Sequence, residues 1–129
     1  MSKWKNYNIY TKVRAILSEV EYHNPKHHFG RPFLTAYQLA IEFANHYPQE
    51  FAKLGYQVGG KGIGVQYSLA KYLARQLSAR IKLDEITDIE GGFLSNLHLD
   101  NIVIDKAGQK IVSSLTKTKI DLSMFRLLN

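Results

Sequence analysis

The sequence predicts an α+β fold, with helices in the first two thirds of the chain and a β-hairpin near its end. Apolar residues recur every four positions from Val65 to Ile81, which is the spacing of one face of an α-helix. Beyond Lys82 the pattern changes to alternation, and the stretch 102–104 is entirely β-branched. With 129 residues, 45% of them hydrophobic, the chain can form one domain with its own core.

Three helices are predicted before the middle of the chain. Apolar residues in the range 9–22 form a single stripe, which predicts the first. Thr35 is suited to the N-cap of a second helix that ends near Tyr47. A short third helix is expected over 49–54, with Gly55 as its left-handed stop.

A glycine-rich loop, residues 55–64, leads into a fourth predicted helix over 65–82. Glycine backbone can approach an anion closely, and the start of a helix offers unpaired N–H donors. The loop and the helix start together therefore suit the binding of a phosphate group, to which Lys61 would add a positive charge. The loop matches most of a nucleotide-binding P-loop, but Gly62 stands where that motif needs Ser or Thr. A connector that binds nothing is the alternative for this loop.

The last third of the chain is expected to contain a hairpin over 99–115, turning at 106–109. The acidic stretch 84–90 and the two glycines after it indicate a connector before the hairpin. The tail, 117–128, fits either a third strand or a short helix.

The charge of the chain favours an anionic partner. Lys and Arg number 17 against 11 Asp and Glu, which gives a net charge of +6 and a pI near 9.5. No acidic residue occurs between positions 56 and 83, so the basic charge of the fourth helix is uninterrupted. One face of that predicted helix carries Tyr67, Lys71, Arg75, Ser78 and Lys82.

Several classes of protein are disfavoured. The absence of cysteine excludes disulfides, thiolate zinc sites and cysteine nucleophiles. The first residues contain no apolar signal core, and no apolar run approaches the roughly 20 residues of a membrane span. A cytoplasmic protein that is not an enzyme, holds no cofactor or metal and does not enter a membrane is therefore expected.

The order of the predicted elements resembles the winged helix-turn-helix superfamily over about residues 33–115. Residues 34–41 resemble its first core helix and 49–55 its second. Residues 65–75 correspond to the recognition helix and 99–115 to the wing. The turn between the second and third helices is longer than the roughly three or four residues usual in such motifs.

The resemblance implies a DNA-binding protein, a regulator of transcription or an accessory factor, whose recognition helix enters the major groove of duplex DNA. In this interpretation 9–22 is an N-terminal helix, 33–115 is a winged-helix-like core and 116–129 is a C-terminal segment of a single domain. Gln66, Ser68 and Arg75 are placed for base edges. The full set of expected nucleic-acid contacts is Lys61, Gln66, Tyr67, Ser68, Lys71, Arg75, Lys82, Lys106 and Lys110.

A homodimer is a further expectation, because Ile9, Val13 and Leu17 form an apolar stripe on the first predicted helix. Two other functions stay open. The basic surface suits a protein-interaction module, such as an inhibitor, immunity protein or antitoxin, that binds an acidic partner. The histidines at 23–28 suggest a small metal-dependent nuclease, although Pro25 argues against their sharing a helical face.

Overall fold

The computed structural model describes residues 2–115 and 120–128, and over these it is an α+β fold, as predicted. A turn of 3₁₀-helix, Val65–Tyr67, precedes the last α-helix. The helices are α1 Lys3–Asn6, α2 Ile9–Ser18, α3 Ala36–His46, α4 Pro48–Leu54 and α5 Leu69–Lys82. The strands are β1 Leu34–Thr35, β2 Ile89–Leu94, β3 Val103–Lys106, β4 Gln109–Val112 and β5 Leu122–Leu127.

The strands form two separate antiparallel sheets. In the larger sheet β5 lies between β1 and β2, with Leu34 opposite Phe125 and Ile89 opposite Leu127. Strands β3 and β4 form a hairpin of their own, which turns at Ala107 and Gly108, both with positive φ. The predicted hairpin is therefore confirmed, although its strands are shorter than 99–115.

Strand β2 was not predicted, because its sequence is acidic and contains two glycines. Gly91 lies opposite Phe125 in the ladder, and a Cβ on Gly91 would lie 3.3 Å from the Phe125 ring. The glycine thus lets the central strand keep its large aromatic side chain, and it continues the strand where the sequence suggested a break.

The core lies between the helices and the larger sheet. Helix α3 packs between α2 and α5, and all three contact the sheet. The largest fully buried side chains are Tyr37, Phe43, Ile9, Leu17, Leu39, Leu69, Leu73, Leu77, Ile89 and Val13.

The apolar stripe of α2 is part of this core. Ile9 and Val13 are fully buried and Leu17 is 1% exposed. The stripe therefore does not supply the interface of the expected homodimer, because it already packs against the rest of its own chain. The helix ends at Ser18, before the predicted end at 22, because the N–H groups of Glu19 and the next residue bond to carbonyls three residues back.

Several local predictions are confirmed. Thr35 caps α3 through a capping box, in which its side chain accepts from the Gln38 N–H and the Gln38 side chain accepts from the Thr35 N–H. Pro48 occupies the first turn of α4, and Gly55 ends that helix with a φ of 77°. The tail forms strand β5, while its residues 117–119 lie outside the described part of the chain. Among the described residues, no helix has the length and apolar character needed to cross a membrane.

Candidate nucleic-acid interface

The outward face of α5 carries three of the six basic side chains predicted for the interface. Leu69, Leu73 and Leu77 anchor the inner face in the core. The opposite face carries four residues, each about one helical turn from the next, and all four line one groove: Lys71, Arg75, Ser78 and Lys82. The shared face of these four residues is thus as the sequence predicted, whereas Tyr67 precedes the helix.

The cations of this face have no acidic partners among the described residues. Three of the chain's other four arginines are neutralised locally: Arg14 pairs with Asp88 at 2.7 Å, Arg80 with Glu85 at 2.7 Å and Arg126 with Glu90 at 2.6 Å. Within the described ranges, no ion pair involves Lys71, Arg75 or Lys82. The positive charge of α5 is therefore available to an external anion.

Lys71 differs from its neighbours because it is half-buried. Burial lowers the pKa of its amino group, the nearby Tyr37 acts in the opposite direction, and the positive charge of Arg75 lowers it further. Arg75 and Lys82 are exposed. The face therefore combines one cation at the edge of the core with two that project into solvent.

The N-terminus of α5 does not offer free donors to a phosphate. The N–H of Leu69 donates to the Gln57 carbonyl at 2.7 Å, and the N–H of Ala70 donates to the Val58 carbonyl at 2.9 Å. The Lys71 N–H donates to the Ser68 hydroxyl at 3.1 Å. The prediction of an anion site at this helix start is wrong, because the preceding loop already satisfies its first amides.

Ser68, which was predicted to contact a base, is not accessible in the structure. Its side chain is the N-cap of α5, and the residue is only 2% exposed. This also explains why the α-helix begins at Leu69 and not at Val65. Residues before the cap form the 3₁₀ turn, on which Gln66 is exposed and Tyr67 is 55% exposed.

The glycine-rich loop packs as a connector between α5 and the hairpin. Gly60 lies against Ile111 and Val112, where a Cβ would come within 3.0 Å of the Ile111 side chain. The Lys61 N–H donates to the Val112 carbonyl at 2.7 Å, while the residue is exposed overall. A helix, α4, precedes the loop, so the strand that a P-loop needs is missing from this position.

The hairpin folds back on the helices. Lys106 is half-buried, with its amino group 5.9 Å from the centre of the Phe51 ring on α4. The Tyr37 hydroxyl lies 2.8 Å from the Ser114 hydroxyl and accepts the Ser114 N–H at 3.0 Å. Lys106 is therefore partly covered by α4, whereas Lys110 on β4 is exposed.

The histidine loop shows no metal-binding arrangement. The rings of His27 and His28 stack with 4.3 Å between their centres, and Phe29 packs against both edge to face. Over residues 2–115 and 120–128, no three His, Asp or Glu side chains are grouped so as to hold a metal ion. No observation thus favours the nuclease hypothesis.

Sequence reasoning missed the second wall of the groove beside α5. That wall comes from β5 and the residue before it: Asp121, Leu122 and Ser123. The tail of the chain shows too little periodicity for its conformation to be predicted, so nothing in the sequence placed it next to α5.

The chain was also compared with known proteins. No protein-family model matches it, and neither a curated protein nor a solved structure matches it significantly.

Proposed function

We propose that this protein binds nucleic acid, with duplex DNA as the expected target, through the outward face of α5. The observation that carries the proposal is the row of unpaired cations, Lys71, Arg75 and Lys82, on a helix that contains no acidic residue. A solvated surface helix usually mixes charges of both signs, which form stabilising pairs along its length. A one-sign face instead resembles the electrostatic footprint of a nucleic-acid-binding surface.

The order of elements also supports the proposal. Helix α5 follows two shorter helices, α3 and α4, and the β3–β4 hairpin comes after it in the chain. This is compatible with the winged-helix resemblance, with α5 as the recognition helix. Lys61, Gln66, Tyr67 and Lys110 are exposed, and together with the half-buried Lys106 they complete the proposed contact set. Ser68 is withdrawn from the set because it is buried.

Phosphate contacts would supply most of the affinity. Each lysine or arginine that neutralises a phosphate releases condensed counterions, so binding falls steeply as salt rises. Arg75 is the member of the face best suited to a base edge, because a guanidinium donates two parallel hydrogen bonds to guanine. Ser78, also exposed on this face, can donate to a phosphate oxygen.

The test compares two double variants with equal loss of charge. In Arg75→Gln/Lys82→Gln both changed side chains are exposed on α5, so the fold should persist. We expect duplex affinity to fall and the salt dependence, the slope of log K against log salt, to decrease by about one per side chain. The control is Lys5→Gln/Lys53→Gln, with exposed lysines on α1 and α4.

Equal affinities of the two double variants would contradict the proposal, since net charge alone would then account for binding. Absence of nucleic-acid binding by the unmodified chain at low salt would direct attention to the acidic-protein partner.

A further inference from the structure

The groove beside α5 has the dimensions of a small-molecule site. Its volume is about 480 Å³, within the range of about 300–1,000 Å³ that is common for ligand pockets. One wall is the outward face of α5, and the other is the start of β5. Along the helix, the distance from Lys71 to Lys82 corresponds to roughly 16 Å at the α-helical rise.

The groove has an apolar floor. Ala70, Ala74 and Leu122 all line it, and Ala70 and Leu122 are 3% and 2% exposed. Tyr37 closes one side, and its hydroxyl is already engaged by Ser114. Small side chains on the helix wall leave room that a bulkier apolar group from elsewhere could fill.

The charge around this floor is mostly positive. Lys71, Arg75 and Lys82 line the helix wall, and the acid that lines the opposite wall is Asp121. The Asp121 carboxylate accepts the Asn96 N–H at 3.0 Å, so its charge is partly satisfied within the chain. The half-buried ammonium of Lys71 has no such partner among the described residues.

From this combination we infer that the groove binds a small amphipathic anion, with its apolar body over Ala70, Ala74 and Leu122 and its acidic head at Lys71 and Arg75. An anion would compensate the cost of holding the Lys71 charge away from bulk water. Val65 and Ile120 also line the groove and are 45% and 58% exposed, so an apolar body would cover surface that is otherwise in contact with solvent. Binding to this groove does not depend on the proposed function, although it would neutralise two cations of the proposed DNA-binding face.

The test uses three ligands of ten carbon atoms each with different heads: decanoate, decanol and decylamine. Isothermal titration of the full chain without DNA should give saturable one-to-one binding, with decanoate tightest and decylamine weakest. Shortening the acid to octanoate should weaken binding by up to about fourfold for each CH₂ removed. Decyl phosphate tests whether a phosphate head binds as well as a carboxylate head. Tighter binding of either decanoate or decyl phosphate than of decanol supports the inference.

Two variants locate the site. Lys71→Met keeps the apolar stem and removes one of the two charges at the head, so it should reduce the preference for decanoate over decanol. Lys53→Met, on the exposed surface of α4, removes the same charge elsewhere and should leave the preference intact. Ala74→Phe should weaken the binding of decanoate and decanol alike by filling the groove.

The inference is overturned when neither decanoate nor decyl phosphate binds the unmodified chain more tightly than decanol, or when Lys71→Met and Lys53→Met behave alike. Circular dichroism of each variant establishes that it is folded. A negative result here leaves the nucleic-acid proposal standing, because no nucleic acid is present in these titrations.

Discussion

Gly59 lies directly against Ser68, so closely that a Cβ on Gly59 would overlap the Ser68 hydroxyl oxygen. The φ of Gly59 is also positive, at 126°. This contact places the glycine-rich loop against the N-cap of α5. Gly59 is therefore needed for the packing of the loop on α5, which is a structural role.

Gly59→Ala should destabilise the protein by about 3 kcal/mol, because it adds steric overlap to the cost of a left-handed backbone. Gly62→Ala is the matched control, since its φ is 91° but no atom lies within 4 Å of the added Cβ. That variant should lose only about 1 kcal/mol, the cost of the backbone alone. Urea denaturation measures both, and equal losses would show that the contact with Ser68 has no energetic consequence.

Ser68→Ala should reduce the free energy of unfolding by about 0.5–2 kcal/mol, because the Lys71 N–H loses its cap. Ser78→Ala is the control on the same helix. Ser78 is exposed in the helix interior, where alanine has the higher helix propensity, so this change should be neutral or slightly stabilising. A loss of stability in Ser78→Ala as large as that in Ser68→Ala would refute the capping role.

Asp88→Asn should lower stability at neutral pH and have less effect in acid. Burial by itself would raise the pKa of Asp88, but the Arg14 guanidinium and the Tyr10 hydroxyl, both hydrogen-bonded to the carboxylate, bring it below its usual value. Because the folded pKa is below the unfolded one, near 3.9, the carboxylate stabilises the fold above that pH. This stabilisation is lost as the pH falls through the folded pKa.

Unfolding curves of Asp88→Asn and the unmodified chain between about pH 7 and pH 2 check this expectation. The difference in unfolding free energy should shrink towards the acid end. Asp84→Asn is a suitable control, because Asp84 is exposed and forms no ion pair within the described residues. A difference for Asp88→Asn that is constant with pH would contradict the assigned interaction.

Elements with strong local signals could be predicted from the sequence. The four-residue repeat of α5, the Thr35 capping box and the turn at Ala107 and Gly108 each depend on residues close together in the chain. The prediction of the basic face followed from the same periodicity. These features need no knowledge of the tertiary structure.

Features that depend on distant contacts could not be predicted. Strand β2 contains Gly91 because Phe125 packs against it from 34 positions away along the chain. Ser68 has a polar side chain that could contact a base, but the residue is buried because the glycine-rich loop packs over it. Long-range packing also placed β5 beside α5 and so formed the groove.

The most direct test of the proposed function is a fluorescence-anisotropy titration of the unmodified chain with a DNA duplex, a single strand and an RNA hairpin at two salt concentrations. If α5 binds duplex DNA, the duplex should bind most tightly, and its affinity should fall steeply between the lower and the higher salt concentration. Absence of binding to all three at the lower salt would contradict the proposed function, and the cations of α5 would then require a different partner.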